Sequence, residues 1–451
     1  MKKNEVTKST IALGHTERAF LAFEDLFSSF GMLLGVRFGE PHPSEEIRTG
    51  LRLMLSLYPR MRSLLEPTLF SYCLRLLDDA DPRVEKLFDR SFQVVRGISP
   101  DTHAFFAYRK RFFNEPFSLE QALPLKIRYF PDSEKPVLLM SLHHIISDGL
   151  GFMNVVDDLM AWLNRQVPLG APIDTRRVWK TFIKKPVHKI PGDFLRSLKQ
   201  YQGAVMRTRH DKPLLLSSQP VDFFGEADIV THVLPFDRER VLSTARKFNC
   251  SLTVLIMTAL SRALVKLAPR QDANKIGLTT VIGLRPRFDD PKPVFGNYVM
   301  LKMLNIYKDI WDRPDKIISE IKNQMATRIR EASGQETMAP WFIGKSAVLL
   351  GRKNYGKGVM HAKKSGKMAF SFQVSTGGSL DRLNAHGDRA HVTEIVDAVP
   401  HYGLFITLTS LDGRISTNFT YPLPELKRED LTQFIMVFDK EVGNLIQAAG
   451  L

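Results

Sequence analysis

Only two cysteines, Cys73 and Cys250, occur in 451 residues. That excludes a disulfide framework and a cysteine-rich metal site, and it fits a reducing, cytoplasmic compartment. No apolar run approaches the roughly 18 residues needed to cross a bilayer. The start, MKKNEVTKST, is charged but leads into no apolar stretch, so a secretory leader is not expected. No glycine-rich nucleotide fingerprint follows a strand, and no phosphate loop occurs. Dehydrogenase and ATPase readings lose their support with them. Zinc-finger spacing, an RNA-binding aromatic signature and a long basic arm are all missing, so nucleic acid is not the expected partner. Acidic residues are outnumbered: 48 Asp and Glu stand against 63 Lys and Arg, a net charge of +15. Such a balance suits a phosphorylated cofactor or anionic lipid, with contact at the periphery of a membrane as one form of it. A solvated basic surface is the plain alternative.

What is present reads as globular: 44% hydrophobic and 25% charged residues. The length implies two or three domains, or two large halves. Strand-like and helical segments mix without a regular βαβ series, an α/β (α+β) pattern. Ile47–Leu57 is an amphipathic helix ending before Pro59, and Val137–His144 is a buried strand. A turn over Ile146–Gly149 leads to a helix over Gly151–Asn164. Its Phe152, Val155, Val156, Leu159, Met160 and Leu163 share one face. Gln166–Pro220, rich in proline and in Arg and Lys, is the linker candidate. We place a first half at residues 1–175, a crossover at 176–226 and a second half at 227–451. In the second half Ser251 can cap an all-round apolar helix, Leu252–Leu267. Lys275–Gly283, Met368–Val374, Ala390–Ala398, Gly403–Leu411 and Arg414–Tyr421 are strand candidates, and Trp311–Ile329 is a helix. Asp412-Gly413 closes a hairpin. Lys345–Lys367, glycine-rich and basic, reads as a mobile loop.

The chemistry concentrates in His143-His144-Ile145-Ile146-Ser147-Asp148-Gly149. Side chains alternate along a strand, so the two histidines point to opposite faces and take different tasks. One enters a cleft and the other braces the turn. Imidazole titrates near neutral pH and can take a proton from a hydroxyl, an amine or a thiol. Asp148 in the turn can bond back to an imidazole or to a distant cation. Gly149 permits a backbone angle that other residues avoid. Buried, satisfied histidines are the bland alternative. A metal held by His144 and Asp148 lacks further ligands at suitable spacing. Cys250, at the start of a buried helix, is an ordinary buried thiol rather than a nucleophile.

This segment resembles the signature of the superfamily of CoA-dependent acyltransferases and nonribosomal peptide condensation domains. Weaker segments follow in the same order over nearly the whole chain. Leu57–Leu65 is similar to the family's His-Pro-x-x-Arg region, with Tyr58 in place of His. The helix beginning at Ser251, the Thr280–Arg287 strand ending in arginine, Phe295-Gly296-Asn297-Tyr298-Val299 and the Asp412–Tyr421 hairpin also match. Phe372–Thr376 resembles a strand that usually ends in Ser-Asn, with Thr376 replacing Asn. The plant-type Asp-Phe-Gly-Trp-Gly segment is absent, which argues against the plant branch.

The resemblance implies two halves like chloramphenicol acetyltransferase, meeting at a V-shaped cleft crossed by a central tunnel. His144 is then the catalytic base. His143, Asp148, Gly149 and Arg285 support the motif, with Asp148 and Arg285 paired across the cleft. Ser375 and Asn297 are candidates for oxyanion or substrate contact, and Lys363 and Lys364 for anion binding. The Arg176–Lys189 series is the next anion-binding candidate. A thioester is already activated and needs a base and a stabilised oxyanion, not a covalent nucleophile. The implied activity is transfer of an acyl group from acyl-CoA, or from the phosphopantetheine of an acyl carrier protein, to a hydroxyl or amine of a small-molecule or lipid acceptor. No bound cofactor and no metal are expected, and the expected form is a stand-alone monomer. A non-catalytic docking module that binds a carrier protein is the alternative. Such a module has no need of the second histidine, which is present here.

Overall fold

The computed structural model describes residues 10–173, 211–216, 223–268, 272–283, 285, 294–331, 351–366 and 370–451, apart from 28, 70 and 424, with the single positions 192, 195 and 199. Most of the expected crossover over 176–226, including Arg176–Lys189, lies outside the described residues.

The first half runs β1 (Thr10–Ala12), α1 (His15–Glu24), β2 (Gly31–Phe38), α2 (Ser44–Leu57), β3 (Ser63–Pro67), β4 (Tyr72–Leu76), α3 (Pro82–Ser91), β5 (Phe92–Val94), α4 (His103–Phe113), β6 (Leu125–Phe130), β7 (Val137–His143) and α5 (Gly149–Leu163). The second runs β8 (Ala227–Val233), α6 (Arg238–Lys247), α7 (Leu252–Leu267), β9 (Lys275–Gly283), β10 (Val299–Tyr307), α8 (Pro314–Glu331), α9 (Arg352–Lys364), β11 (Phe372–Ser379), β12 (Val392–Ala398), β13 (Phe405–Leu411), β14 (Arg414–Pro422) and α10 (Arg428–Ala448).

Local chemistry sets these boundaries. Asp148 caps α5 by accepting the Gly151 amide at 3.0 Å. The apolar stripe of α5 is fully buried, as period 3.6 requires. Ser251 caps α7 through the Val254 amide at 3.3 Å, and α7 is buried on nearly every side. Asp412 and Gly413 have φ of 47° and 74°, the two positive angles of a tight hairpin turn between β13 and β14.

Two large sheets carry the halves. The six-stranded sheet has the order β10-β9-β11-β13-β14-β8, all from the second half. Helices α7, α8 and α10 bury Leu255, Ile321 and Phe438 against it. Each such fully buried apolar side chain contributes about 1.5–3 kcal/mol. The five-stranded sheet has the order β12-β2-β7-β6-β5. Helices α2 and α5 cover one of its faces with Met54, Val156 and Leu159.

The position of β12 alters the expected division. Residues 227–451 do not all belong to one half: β12 leaves the second half and pairs antiparallel with β2, with Asp397 opposite Leu34 and Ala398 opposite Leu33. The first core accordingly includes Phe295, Leu380, Val392, Ile395 and Leu411 from the second half. An alternating apolar strand shows which face it buries but not which sheet it joins.

The expected mobile loop over Lys345–Lys367 is also corrected, since Arg352–Lys364 forms helix α9. Its glycines, Gly356 and Gly358, are tolerated in a helix that packs on α1: Arg352 forks onto Asp25 at 2.5 Å, and Tyr355 meets Phe23 ring to ring. Lys345 and Lys367 lie outside the described residues.

Asn114 ties the halves near the start of β8. Its side chain donates to the Ala227 carbonyl at 2.8 Å and accepts the Ala227 amide at 2.9 Å, doing the work of a strand partner. Asn114→Ala is expected to destabilise the protein by about 1–3 kcal/mol, because both buried backbone groups lose their partner. Urea unfolding measures this, and an unchanged midpoint would contradict it.

Candidate active site

Strand β7 ends at His143, and the two histidines point to opposite sides of it. His143 is fully buried. Its Nδ1 accepts the Ile145 amide at 3.1 Å, so the ring hydrogen sits on Nε2 and is donated to Glu24 Oε2 at 3.2 Å. Glu24 also accepts the amides of Phe30 and Phe117, at 2.5 and 2.9 Å. Burial alone would raise the Glu24 pKa, but His143 and these two amides outweigh it and bring it down. His143 therefore braces the turn by fixing helix α1 to the end of β7.

His144 has a different setting. Its Nδ1 lies 3.1 Å from the Ser147 carbonyl and 3.3 Å from Asn297 Oδ1. Both are acceptors, so the neutral ring carries its hydrogen on Nδ1 and keeps a lone pair on Nε2. Asn297 also donates through Nδ2 to the His144 carbonyl at 2.5 Å. Thus Asn297, expected as an oxyanion or substrate contact, has its amide committed to orienting the base. The rings of Phe20 and Phe30 stand 4.4 and 5.7 Å from the imidazole. Burial in this apolar setting pushes the His144 pKa down to about 4, although the Asp148 charge opposes it.

Asp148 joins the halves. Oδ1 accepts from the Gly151 amide at 3.0 Å and from Arg285 Nη2 at 2.8 Å. Oδ2 accepts from Arg285 Nη1 and the Tyr298 amide, both at 2.8 Å. Asp148 is fully buried and Arg285 nearly so. The guanidinium also donates to the carbonyls of Gly296, at 3.1 Å, and Val294, at 3.3 Å, and lies over the Tyr298 ring. This fork is the pairing that the sequence resemblance implied.

Three expected roles change. Gly149 needs no unusual backbone angle, and a Cβ there would meet nothing within 4 Å. The tight glycine is Gly151, where a Cβ would collide with Ser147 Oγ and crowd Arg285 and Phe295. Lys363 is not free for an anion: its amine pairs with Glu425 and lies 4.9 Å from the Phe224 ring centre. Lys364 sits exposed at the end of α9. Ser375 lies on β11 opposite Thr407, in the second sheet, and no described contact joins it to His144. Thr376, the departure from Asn, reaches Thr253 Oγ1 at 3.2 Å at the start of α7.

The sequence reading did not single out Glu24, Glu17 or Arg60 as site residues. Arg60 donates to Glu17 at 2.5 Å and to the Ile145 carbonyl at 3.2 Å, clamping the turn after the histidines. Its place in the Leu57–Leu65 match was the available signal. Tyr58, in place of the family's His, is buried and donates to Asp158 at 2.6 Å and to the Asn154 carbonyl at 3.1 Å, which holds α2 to α5.

Aromatic rings continue away from the base. Phe30 touches Phe27, Phe27 touches Phe224 at 4.6 Å, and Phe224 touches Tyr402. A narrow crevice lies among Phe27, Phe224, Tyr402, His401 and the Lys363–Glu425 pair. The exposed Phe223 stands at its edge.

No family model matches the chain. Solved structures do match it, over nearly its whole length. The first condensation domain of the calcium-dependent antibiotic synthetase, in complex with a substrate analogue, superposes with a TM-score of 0.71. The chain has the condensation-domain fold. That match covers 97% of each chain at 14% identity. The trichothecene 15-O-acetyltransferase from Fusarium sporotrichioides superposes with a TM-score of 0.72 at 11% identity, covering 97% of this chain and 95% of that one. The starter condensation domain of rhizomide synthetase, in complex with C8-CoA and Leu-SNAC, gives 0.68 at 12% identity, over 97% and 95%. In this chain the turn over His143–Gly149 lies where Asp148 meets Arg285 of the second half.

Two outcomes follow from the geometry. Asp148→Ala and Arg285→Ala are each expected to cost about 3–5 kcal/mol, because each leaves its partner charge buried and unpaired. The double variant should cost much less than the sum. Additive losses in a double-mutant cycle would mean that the pair carries no coupling. The second outcome is a pH profile. His144 stays neutral from pH 7 down to its lowered pKa and gains a proton only below it. The acid limb of kcat/KM should therefore centre near pH 4, not near the ordinary 6.5. A limb at the ordinary value would show the ring to be solvated.

Proposed function

We propose that the protein is an acyltransferase that moves an acyl group from a thioester, acyl-CoA or acyl carrier protein, to a hydroxyl or amine of a small-molecule or lipid acceptor. One observation carries the reading: both neighbours of His144 Nδ1 are acceptors, which leaves Nε2 as an oriented, unprotonated base. Nε2 takes the proton from the acceptor as its oxygen or nitrogen attacks the thioester carbonyl. The tetrahedral intermediate collapses, the carbon–sulfur bond breaks, and Nε2–H returns the proton to the departing thiolate. The imidazolium formed between these steps is favoured by the Asp148 charge nearby and by the two acceptors on Nδ1.

The surroundings support the same reading. Phe20 and Phe30 exclude water from the ring, which protects a thioester from hydrolysis. The aromatic track from Phe30 to Tyr402 suits an apolar portion of one substrate. The comparisons bear on this chemistry through their names: one neighbour is an acetyltransferase, and another was solved with C8-CoA.

His144→Ala is expected to lower transfer by roughly 10²–10⁴-fold, the usual loss for a general base. Far-ultraviolet circular dichroism should show the fold intact. Turnover of a panel of acyl-CoA and carrier-bound thioesters, with products read by mass, tests this. Near-normal turnover by the folded variant would remove His144 as the base. A wild-type protein that binds carrier protein but turns over no thioester would instead be a docking module.

A further inference from the structure

Helix α9 takes no part in the proposed transfer step, yet it lies across the aromatic track that leads from His144. Its residues Arg352, Tyr355, Gly356, Val359 and Lys363 recur at three- and four-residue spacing and so share one face. That face looks inward. Tyr355 meets the Phe23 ring edge-on at 6.3 Å, and a Cβ on Gly356 would stand 3.7 Å from Leu26. Phe23 stands 5.2 Å from Phe30, which stands 5.7 Å from His144. Burial, with the Tyr355 phenol close by, pushes the Tyr402 pKa up to about 12. Lys363 lies 4.9 Å from the Phe224 ring centre and lines the narrow crevice. The inner face of α9 thus roofs the track at Phe23, at Tyr402 and at Phe224.

This roof is held lightly in its middle and unequally at its ends. Of its 13 residues, Gly356 and Val359 are the buried ones. Gly356 and Gly358 weaken the helix from within, because glycine loses the most backbone freedom there. No side chain caps its start. At the far end Lys363 pairs with Glu425 of the second half, and both side chains are largely buried. At the near end Arg352 forks onto Asp25, just past α1 in the first half, with the two side chains 25% and 45% exposed. An exposed pair adds little, whereas a buried charge leaves its partner only at high cost. The near end therefore lets go first. Each end also carries a glycine in the left-handed region, Gly351 at φ 86° and Gly366 at φ 69°. Small residues at the ends of an element absorb the φ and ψ change of a hinge.

We propose that α9 is a hinged strap over the aromatic track: it stays pinned to the second half by Lys363 and swings off α1 when the Arg352–Asp25 fork parts, opening the way to His144. The proposal rests on the reading of that track as the path of an apolar portion of a substrate. With the strap down, Phe23 and Phe30 are held from outside and close this side of the imidazole. With it up, those rings can turn, and an alkyl chain takes over the contacts that Tyr355 and Val359 give up.

Diethyl pyrocarbonate, which modifies an accessible neutral imidazole, reads the strap without any turnover. Cys73 and Cys250 are replaced by Ser, and Asp25→Cys with Arg352→Cys puts one thiol on each side of the fork. A short bis-methanethiosulfonate reagent then ties the strap down, and a reductant frees it. Modification of His144 at pH 7, followed by peptide mass, should slow about tenfold or more on tying and recover on reduction, since the reagent reaches the ring through local opening. Exposed His103 should react at one rate throughout. Arg352→Ala, with the native cysteines and no cross-linking reagent, should speed His144 modification about threefold or more over wild type. It serves if the double-cysteine protein does not fold. Equal His144 rates in tied and freed protein, or an unchanged rate in folded Arg352→Ala, would overturn the proposal and leave α9 a fixed packing helix. Thioester turnover on the same samples should fall on tying and return on reduction, and full turnover by the tied protein would overturn the strap as well. A His144 rate that responds to tying in a protein that turns over no thioester would keep the strap and sink the acyl-transfer reading.

Discussion

Four donors converge on the buried Asp148 carboxylate, and they come from both halves of the chain. The Gly151 amide fixes the start of α5. Arg285 and the Tyr298 amide bring in the second half. Burying a carboxylate is costly unless it is paired and hydrogen-bonded, and here four donors cover both of its oxygens. The same contact seats Gly296 and Asn297 beside the turn, and Asn297 then sets the tautomer of His144. The base is thus oriented by an ion pair that it does not touch.

A second constraint acts from the opposite side. Glu24 and Glu17, about two turns apart on α1, hold His143 and Arg60 respectively. Helix α1 therefore lies against the histidine turn and carries Phe20 onto the imidazole. That ring contact keeps water away and lowers the pKa. The pocket trades basicity for exclusion of water, which suits a reaction whose donor is already activated.

Much of this was legible in the sequence where local chemistry decides. Ser251 announced its helix as a cap, Lys275–Gly283 matched its strand end to end, and Asp412-Gly413 set its hairpin. The motif and the order of weaker segments carried the Asp148–Arg285 pairing. What was not legible depended on distant partners. Glycines and lysines in Arg352–Lys364 suggested a loop, because the α1 surface that supports this helix is more than three hundred residues away in the chain. Gly149 drew attention as part of the motif, while the crowding that requires glycine at Gly151 comes from Ser147, Arg285 and Phe295 together. Asn297 looked free for substrate because nothing local shows that it would turn back to His144.

The crossover of β12 has a bearing on biogenesis. Arg37 on β2 bonds Glu394 on β12, 357 residues later. Chains emerge from the ribosome amino end first, and early segments collapse as they appear. Strand β2 then waits with an open edge, an unpaired row of amides and carbonyls beside Leu33, Leu34 and Val36, until β12, 357 residues later, has been made. Such an edge is a template for pairing with another nascent chain. Closure of the first sheet therefore depends on a contact of long sequence separation, and such contacts form slowly, so a late strand seals an early part of the molecule.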